Sequence, residues 1–214
     1  DDIPIQWPRS QARSELNLAQ DGQYLALMPG SRGGEVKRMA PLFLQAALQL
    51  QQRYPSLKFV APMISATRAE QFKALWQQHA PQLAIDITVG NSRATMAAAD
   101  YLLLTSGTVA LEAMLIKRPM VVAYKFNALT YRLIKWLFHA PFFSLPNLLA
   151  DERIVPELAQ HEASCDALVD AMSTLIDSDN DALLQRFENL HKQLKVNASE
   201  RAAEVVLNLI SSNK

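Results

Sequence analysis

The sequence predicts an α/β fold, a doubly wound parallel sheet followed by C-terminal helices. Three observations carry this reading. Short apolar runs, closed by proline or glycine, alternate with stretches of helical periodicity. The runs are continuously apolar, as strands covered on both faces require. Strand, helix, strand recurs at a spacing that parallel strands joined by crossover helices produce.

The first run, 24–28, ends at Pro29-Gly30, and the second, 57–63, carries Phe59 and Val60 between Pro55 and Pro62. Both read as buried strands. Between them residues 41–53 place Phe43, Leu44, Ala47, Leu48 and Leu50 on one helical face and stop before Tyr54-Pro55. Pro41 lacks an amide proton, so 33–40 is expected to be a separate turn or a kinked first segment. The alternation continues with a helix at 68–79, a strand at 85–89, a short helix at 92–98 and a strand at 101–105. A helix at 108–116, a strand at 120–124 and an aromatic-rich helix at 129–138 follow. Residues 140–156 contain three prolines and read as irregular, and helices near 166–176 and 182–210 complete the chain. The stretch before Tyr24, with Pro4, Pro8 and a short helix near 9–18, reads as a linker.

Composition bounds the function. The chain has 214 residues, enough for one large domain with a tail. Lys and Arg number 21, as do Asp and Glu, so no global field draws nucleic acid or acidic lipid. A single cysteine, Cys165, forms no internal disulfide, which suits a reducing compartment. The start, Asp1-Asp2-Ile3-Pro4, has neither the basic flank nor the apolar core of a signal peptide, and it lacks an initiator methionine. No apolar run reaches the ~18 residues of a membrane span, so a soluble or peripheral protein is expected.

In doubly wound folds ligands bind beyond the carboxyl ends of the strands, which directs attention to the loops there. Pro29-Gly30-Ser31-Arg32-Gly33-Gly34-Glu35 combines three glycines, a hydroxyl and an arginine directly after a strand. Glycines let backbone amides approach an anion, a helix start adds roughly half a positive charge, and Arg32 offers a planar fork to phosphate. The run is neither a Walker loop nor a G-x-G-x-x-G turn, and alone it is equally a glycine-rich turn with a solvated arginine. Thr105-Ser106-Gly107-Thr108 is a second such loop, with Glu112 one turn into the next helix. Ser106 or Thr108 could cap that helix, and a carboxylate such as Glu112 suits paired sugar hydroxyls. Alone this loop reads as a simple N-cap. Two such loops on one sheet edge point to one shared ligand, a nucleoside diphosphate.

Leu27-Met28-Pro29-Gly30-Ser31-Arg32 with Glu35, Ser106-Gly107-Thr108 with Leu111-Glu112, and Ser144-Leu145-Pro146-Asn147-Leu148-Leu149 together resemble the lipid-A-disaccharide synthases, in family order and spacing from about Tyr24 to Ile210. The resemblance implies a two-lobed glycosyltransferase with Rossmann-like lobes, of which this chain resembles the C-terminal, UDP-sugar-binding lobe. Residues 23–178 would form that lobe, with 1–22 a linker and 179–214 a helix packing on this or the other lobe. The implied reaction is inverting and metal-independent, needs no cofactor, and forms a β-1,6 bond. A sugar passes from UDP-2,3-diacylglucosamine to 2,3-diacylglucosamine 1-phosphate, held on the other lobe with the catalytic base, and UDP is released.

By the same resemblance Arg32 would stabilise the departing UDP. Gly30, Ser31, Ser106, Gly107 and Thr108 would line the phosphates, and Glu112 would hold ribose. Asn147 would join Arg32 in catalysis and Gln160 would contact the nucleotide-sugar, although Asn147 is also a good turn former. Backbone donors, a helix end and Arg32 suffice for charge on a leaving diphosphate without a metal. Alone, the chain is expected to bind UDP without turnover. A stand-alone nucleotide-binding module, and a related UDP-N-acetylglucosamine transferase or epimerase lobe, remain as alternatives, the latter opposed by the Ser-Leu-Pro-Asn-Leu-Leu run.

Other patterns carry less. Asp177, Asp179, Asp181 and Glu188 match calcium-loop positions, but Ala182 stands where glycine is wanted, so an interhelix turn with aspartate caps is expected. The four histidines show no metal-ligand spacing. Asn197-Ala198-Ser199 is a glycosylation sequon by pattern only. Trp136, Phe138, Phe142 and Phe143, among Arg132, Lys135 and His139, suit an acyl chain or the inner-membrane surface, and equally a packing face. A cytoplasmic protein, peripheral on the inner membrane, is therefore expected. The terminal helix also leaves room for a homodimer.

Overall fold

The computed structural model describes residues 3–126 and 141–195. Six strands, β1 (Tyr24–Met28), β2 (Lys58–Met63), β3 (Ile85–Val89), β4 (Tyr101–Thr105), β5 (Met120–Tyr124) and β6 (Glu157–Ala159), form one sheet in the order β3-β2-β1-β4-β5-β6. Every neighbouring pair is parallel. The α/β, doubly wound fold expected from the sequence is therefore present.

Alternate side chains of each inner strand feed two cores. Leu25 and Leu27 of β1 join one with helices α2 (Gly33–Arg53), α3 (Ala66–His79) and α7 (Cys165–Asp177). Tyr24, Ala26 and Met28 join the other with α1 (Arg9–Glu15), α4 (Ser92–Ala98), α5 (Thr108–Leu115) and α8 (Asp181–Leu194). Burial of both faces is why β1 and β4 read as unbroken apolar runs rather than as alternation.

Helix α2 runs through Pro41 rather than starting at it. Proline forgoes one intrahelical hydrogen bond, but Val36, Met39, Ala40, Phe43, Leu44, Ala47 and Leu50 are all buried along one stripe, and that burial outweighs the loss. The loop after β1 is thereby shortened to four residues, Pro29 to Arg32. The region expected to be irregular contains a helix, α6 (Leu145–Ala150), and a strand the sequence did not reveal, β6, follows it directly. Both are too short to show a period, and buried Glu157 interrupts the apolar signal of β6.

The N-terminal stretch is knit into the domain. Ile3 and Ala12, in the segment expected to be a linker, lie in the second core. Buried Arg13 donates to the carbonyls of Ala98 and Gln20 and pairs with Asp100 at 2.7 Å. Asp100 also accepts the Tyr24 amide and pairs with Arg9. Buried Arg118 donates to the carbonyls of Ala97, Trp7, Ile116 and Lys117. Burial brings its pKa down to about 10, which leaves it charged near neutrality.

The expected helix at 129–138, with Trp136 and Phe138, and everything beyond Lys195, including the sequon, lie outside the described residues. Among the described residues no helix is long and apolar enough to cross a membrane.

Candidate functional site

The strand order reverses between β1 and β4, so the helices that follow these two strands depart to opposite faces and a crevice opens between their loops. A cleft of about 520 Å³ lies there. The β1 side contributes Gly30, Ser31, Arg32 and Glu35, and the β4 side contributes Thr105 to Val109 and Glu112. Two regions to which the sequence drew no attention complete the wall: Pro62 and Met63 at the carboxyl end of β2 with Ile64 beyond it, and Gly90 and Ser92 after β3. Their position at or beyond strand ends was the signal. Their side chains carry no obvious chemistry. Ile64 and Val89 are nonetheless 65% and 49% exposed, an apolar margin beside a polar cleft.

The β4 side presents unspent donors. Helix α5 begins at Thr108 with Gly107 as its N-cap, and no side chain caps it. Neither Ser106 nor Thr108 plays the capping part open to it. Gly107 has φ +156° and, among the described residues, nothing stands within 4 Å of where its Cβ would be, so a ligand can approach the backbone closely. Among the described residues only Ala110 of the first amides has an acceptor, the Gly107 carbonyl, which leaves the amides of Gly107, Thr108 and Val109 for an anion. Ser106 turns instead to the Phe143 carbonyl, to which its hydroxyl donates at 3.3 Å. Phe142 is half-buried beside it in sequence.

On the β1 side the Arg32 side chain is 84% exposed at the mouth and pairs with Glu35 at 3.3 Å. Glu112 lies across the cleft and accepts from the Arg93 guanidinium at 2.7 Å. Gly30, Ser31, Arg32, Ser106, Gly107, Thr108 and Glu112, singled out from the sequence, thus converge on one cleft.

Two residues do not join them. Asn147 is fully buried and outside the cleft lining. Its Nδ2 donates to the Val155 carbonyl, and its Oδ1 accepts the amides of Ile154 and Val155. That is the turn-forming task, performed away from the cleft. Gln160 follows β6, two strands from the crevice, and its Nε2 is buried with no acceptor among the described residues. Among the described residues no group of three or more His, Cys, Asp or Glu side chains could hold a metal.

The sheet order, the crevice at its reversal and the donor-lined loops define a Rossmann-like α/β domain, the arrangement of GT-B glycosyltransferase lobes. A family model described as lipid-A-disaccharide synthetase matches residues 1–207, and the chain belongs to that family. The lipid-A-disaccharide synthase of Idiomarina loihiensis is 62% identical over 96% of the chain and 54% of its own length. That of Pseudoalteromonas translucida is 46% identical over 100% of the chain and 56% of its own length. The chain thus spans about half the length of these curated relatives.

Solved structures share the fold at low identity. UDP-GlcNAc 2-epimerase from Neisseria meningitidis, bound to UDP-GlcNAc, aligns with TM-score 0.63 at 15% identity over 92% of this chain and 48% of that one. The C-terminal domain of a glycosyl transferase group 1 family protein from Francisella tularensis aligns with TM-score 0.59 at 15% identity, over 92% of this chain and 98% of that one.

Proposed function

We propose that this chain is the donor-binding lobe of an inverting, metal-independent glycosyltransferase that makes the β-1,6-linked lipid A disaccharide from UDP-2,3-diacylglucosamine and releases UDP. The observation that carries this is the uncapped start of α5, with three amides unspent, facing Arg32 across a cleft at the reversal of the sheet. Family membership supports the choice of donor, and the cleft's donors support the chemistry.

In the proposed reaction the 6-hydroxyl oxygen of 2,3-diacylglucosamine 1-phosphate attacks the donor's anomeric carbon, and the bond from that carbon to the diphosphate oxygen breaks. The electron pair leaves with UDP, and the hydroxyl proton passes to a base outside this chain. The acceptor and that base belong to the remainder of the full-length protein. Negative charge grows on the diphosphate as the bond breaks. Fixed amides and the positive end of α5 meet that charge without reorganising, and Arg32 adds a cation from the opposite wall. Gly30 and the Ser31 hydroxyl complete the phosphate wall, and Glu112 receives the ribose hydroxyls. Work at the cytoplasmic face of the inner membrane suits substrates that carry acyl chains, with the half-buried Phe142 as a contact.

Calorimetric titration of UDP into the chain, with and without a chelator, tests the reading. Saturable binding indifferent to chelator, weakened about tenfold or more in Arg32→Ala, is expected for loss of a charge-assisted contact. A folded chain that binds no UDP, or an Arg32→Ala variant that binds as well as the wild type, sinks it.

A further inference from the structure

Glu35, in the first turn of α2, lies at the centre of the β1 loop. Its Oε2 accepts the backbone amides of Ser31 and Arg32, each at 3.2 Å. Its Oε1 accepts from Arg32 Nη1 at 3.3 Å and from the Tyr124 hydroxyl at 3.4 Å, which ties the loop to the end of β5. The side chain is only 15% exposed, against 84% for Arg32. Gly30 sits at φ +118°, and a Cβ there would come within 2.6 Å of Glu35 Cβ and 2.7 Å of Oε2. The glycine of this turn is therefore required by the carboxylate packed under it, whatever binds above. The Tyr124 phenol is held above its ordinary pKa, by burial first and then by the Glu35 charge and hydrogen bond.

These contacts change what the loop offers. The Ser31 and Arg32 amides already serve an internal anion, so a diphosphate beside this turn meets the Ser31 hydroxyl and Arg32 rather than free amides. The turn presents one cation, Arg32, whose Nη1 is tethered by the same carboxylate. An exposed ion pair of this kind adds little stability, so its use lies in geometry.

We propose that Glu35 is a positioning residue that acts through Arg32: its carboxylate fills the β1 turn as a resident anion, directs the donor's diphosphate to the α5 start, and holds Arg32 where leaving-group charge develops. This rests on the donor-site reading above and deepens it. Because Arg32 serves the transition state more than the bound donor, loss of Glu35 lowers kcat and leaves donor KM nearly alone.

The test uses the full-length protein and its turnover. Glu35→Gln keeps size and an acceptor for the two amides but removes the charge that holds Arg32. The expected result is a fall in kcat of about tenfold or more with donor KM within about threefold. In an Arg32→Ala background the same change costs less than about threefold, since residues acting as a unit are not additive. A kcat within about threefold of wild type, a loss carried by KM, or losses that multiply with those of Arg32→Ala overturn the proposal. Should Glu35→Gln not fold, Tyr124→Phe carries the test: loss of that hydrogen bond lowers kcat about twofold or more at unchanged KM, and wild-type kcat overturns the assignment. The two readings fail separately. An unimpaired Arg32→Ala enzyme sinks the donor-site reading itself, whereas an impaired Arg32→Ala beside a normal Glu35→Gln sinks only Glu35.

Discussion

Arg93, in the first turn of α4, donates to a single oxygen of Glu112 on α5 from both Nε and Nη2, at 3.0 and 2.7 Å. Both bonds fall on Oε1, which leaves Oε2 with no protein donor among the described residues. A carboxylate held by one oxygen and open at the other suits a vicinal diol, whose hydroxyls both donate.

That arrangement gives a ligand-specific expectation. Glu112→Ala should weaken UDP binding about tenfold, the loss of a charge-assisted hydrogen bond, while the half-exposed ion pair contributes less than about 1 kcal/mol to folding. The sharper measurement compares UDP with its 2′-deoxy analogue. Wild type should prefer UDP, and Glu112→Ala should bind the two alike. Equal affinities already in the wild type would remove Glu112 from the ribose.

Asn147 divides catalysis from architecture. Its fully buried amide satisfies three backbone groups, and Asn147→Ala would orphan the Val155 amide and carbonyl and leave the Ile154 amide with the Glu152 carbonyl alone. Each buried group left unpaired costs about 1–3 kcal/mol, and partial relaxation suggests a total of about 2–4 kcal/mol. Urea unfolding of the purified variant measures this directly. A variant of wild-type stability that turns over slowly in the full-length protein would restore the catalytic role that the sequence resemblance implied.

The sequence carried the sheet well because its inner strands are buried on both faces, and continuous apolar runs such as 101–105 admit few other readings. It carried the loops after β1 and β4 because glycine beside hydroxyls is a chemical signal as well as a turn signal. It failed where structure is short or polar. Strand β6 is three residues long and starts with Glu157, whose carboxylate accepts the amides of Phe143 and Ser144. Nothing local distinguishes such a glutamate from a surface one. Glu35 was legible as a motif member but not as the occupant of its own turn, since pairing with backbone amides three and four residues back leaves no trace in composition. Arg13 and Asp100 meet across 87 positions, and no period within either segment announces the pair.

His191 supplies the last expectation, a pH dependence of folding. It is buried on α8, and its Nδ1 stands 3.0 Å from Lys117 Nζ, the geometry of a neutral imidazole accepting from an ammonium. Burial first, then the Lys117 charge, lowers its pKa below the ordinary value of 6.5, with Lys195 adding in the same direction. Glu188 and Lys192 face the same cluster as an ion pair at 2.6 Å, so the nearest carboxylate is already engaged. A lowered value means that the unfolded chain binds more protons than the native one between the two pKa values, so stability rises with pH across that window. The contribution is whole above the ordinary value and drains away as pH falls through 6.5 toward the depressed one. Unfolding free energies at about pH 7.5, 6.5 and 5.5 should therefore fall more steeply for wild type than for His191→Asn, which keeps an acceptor for Lys117 but does not titrate. Parallel curves for the two proteins would mean that protonation is relieved by movement of Lys117 and that the buried contact does not set the acid limit.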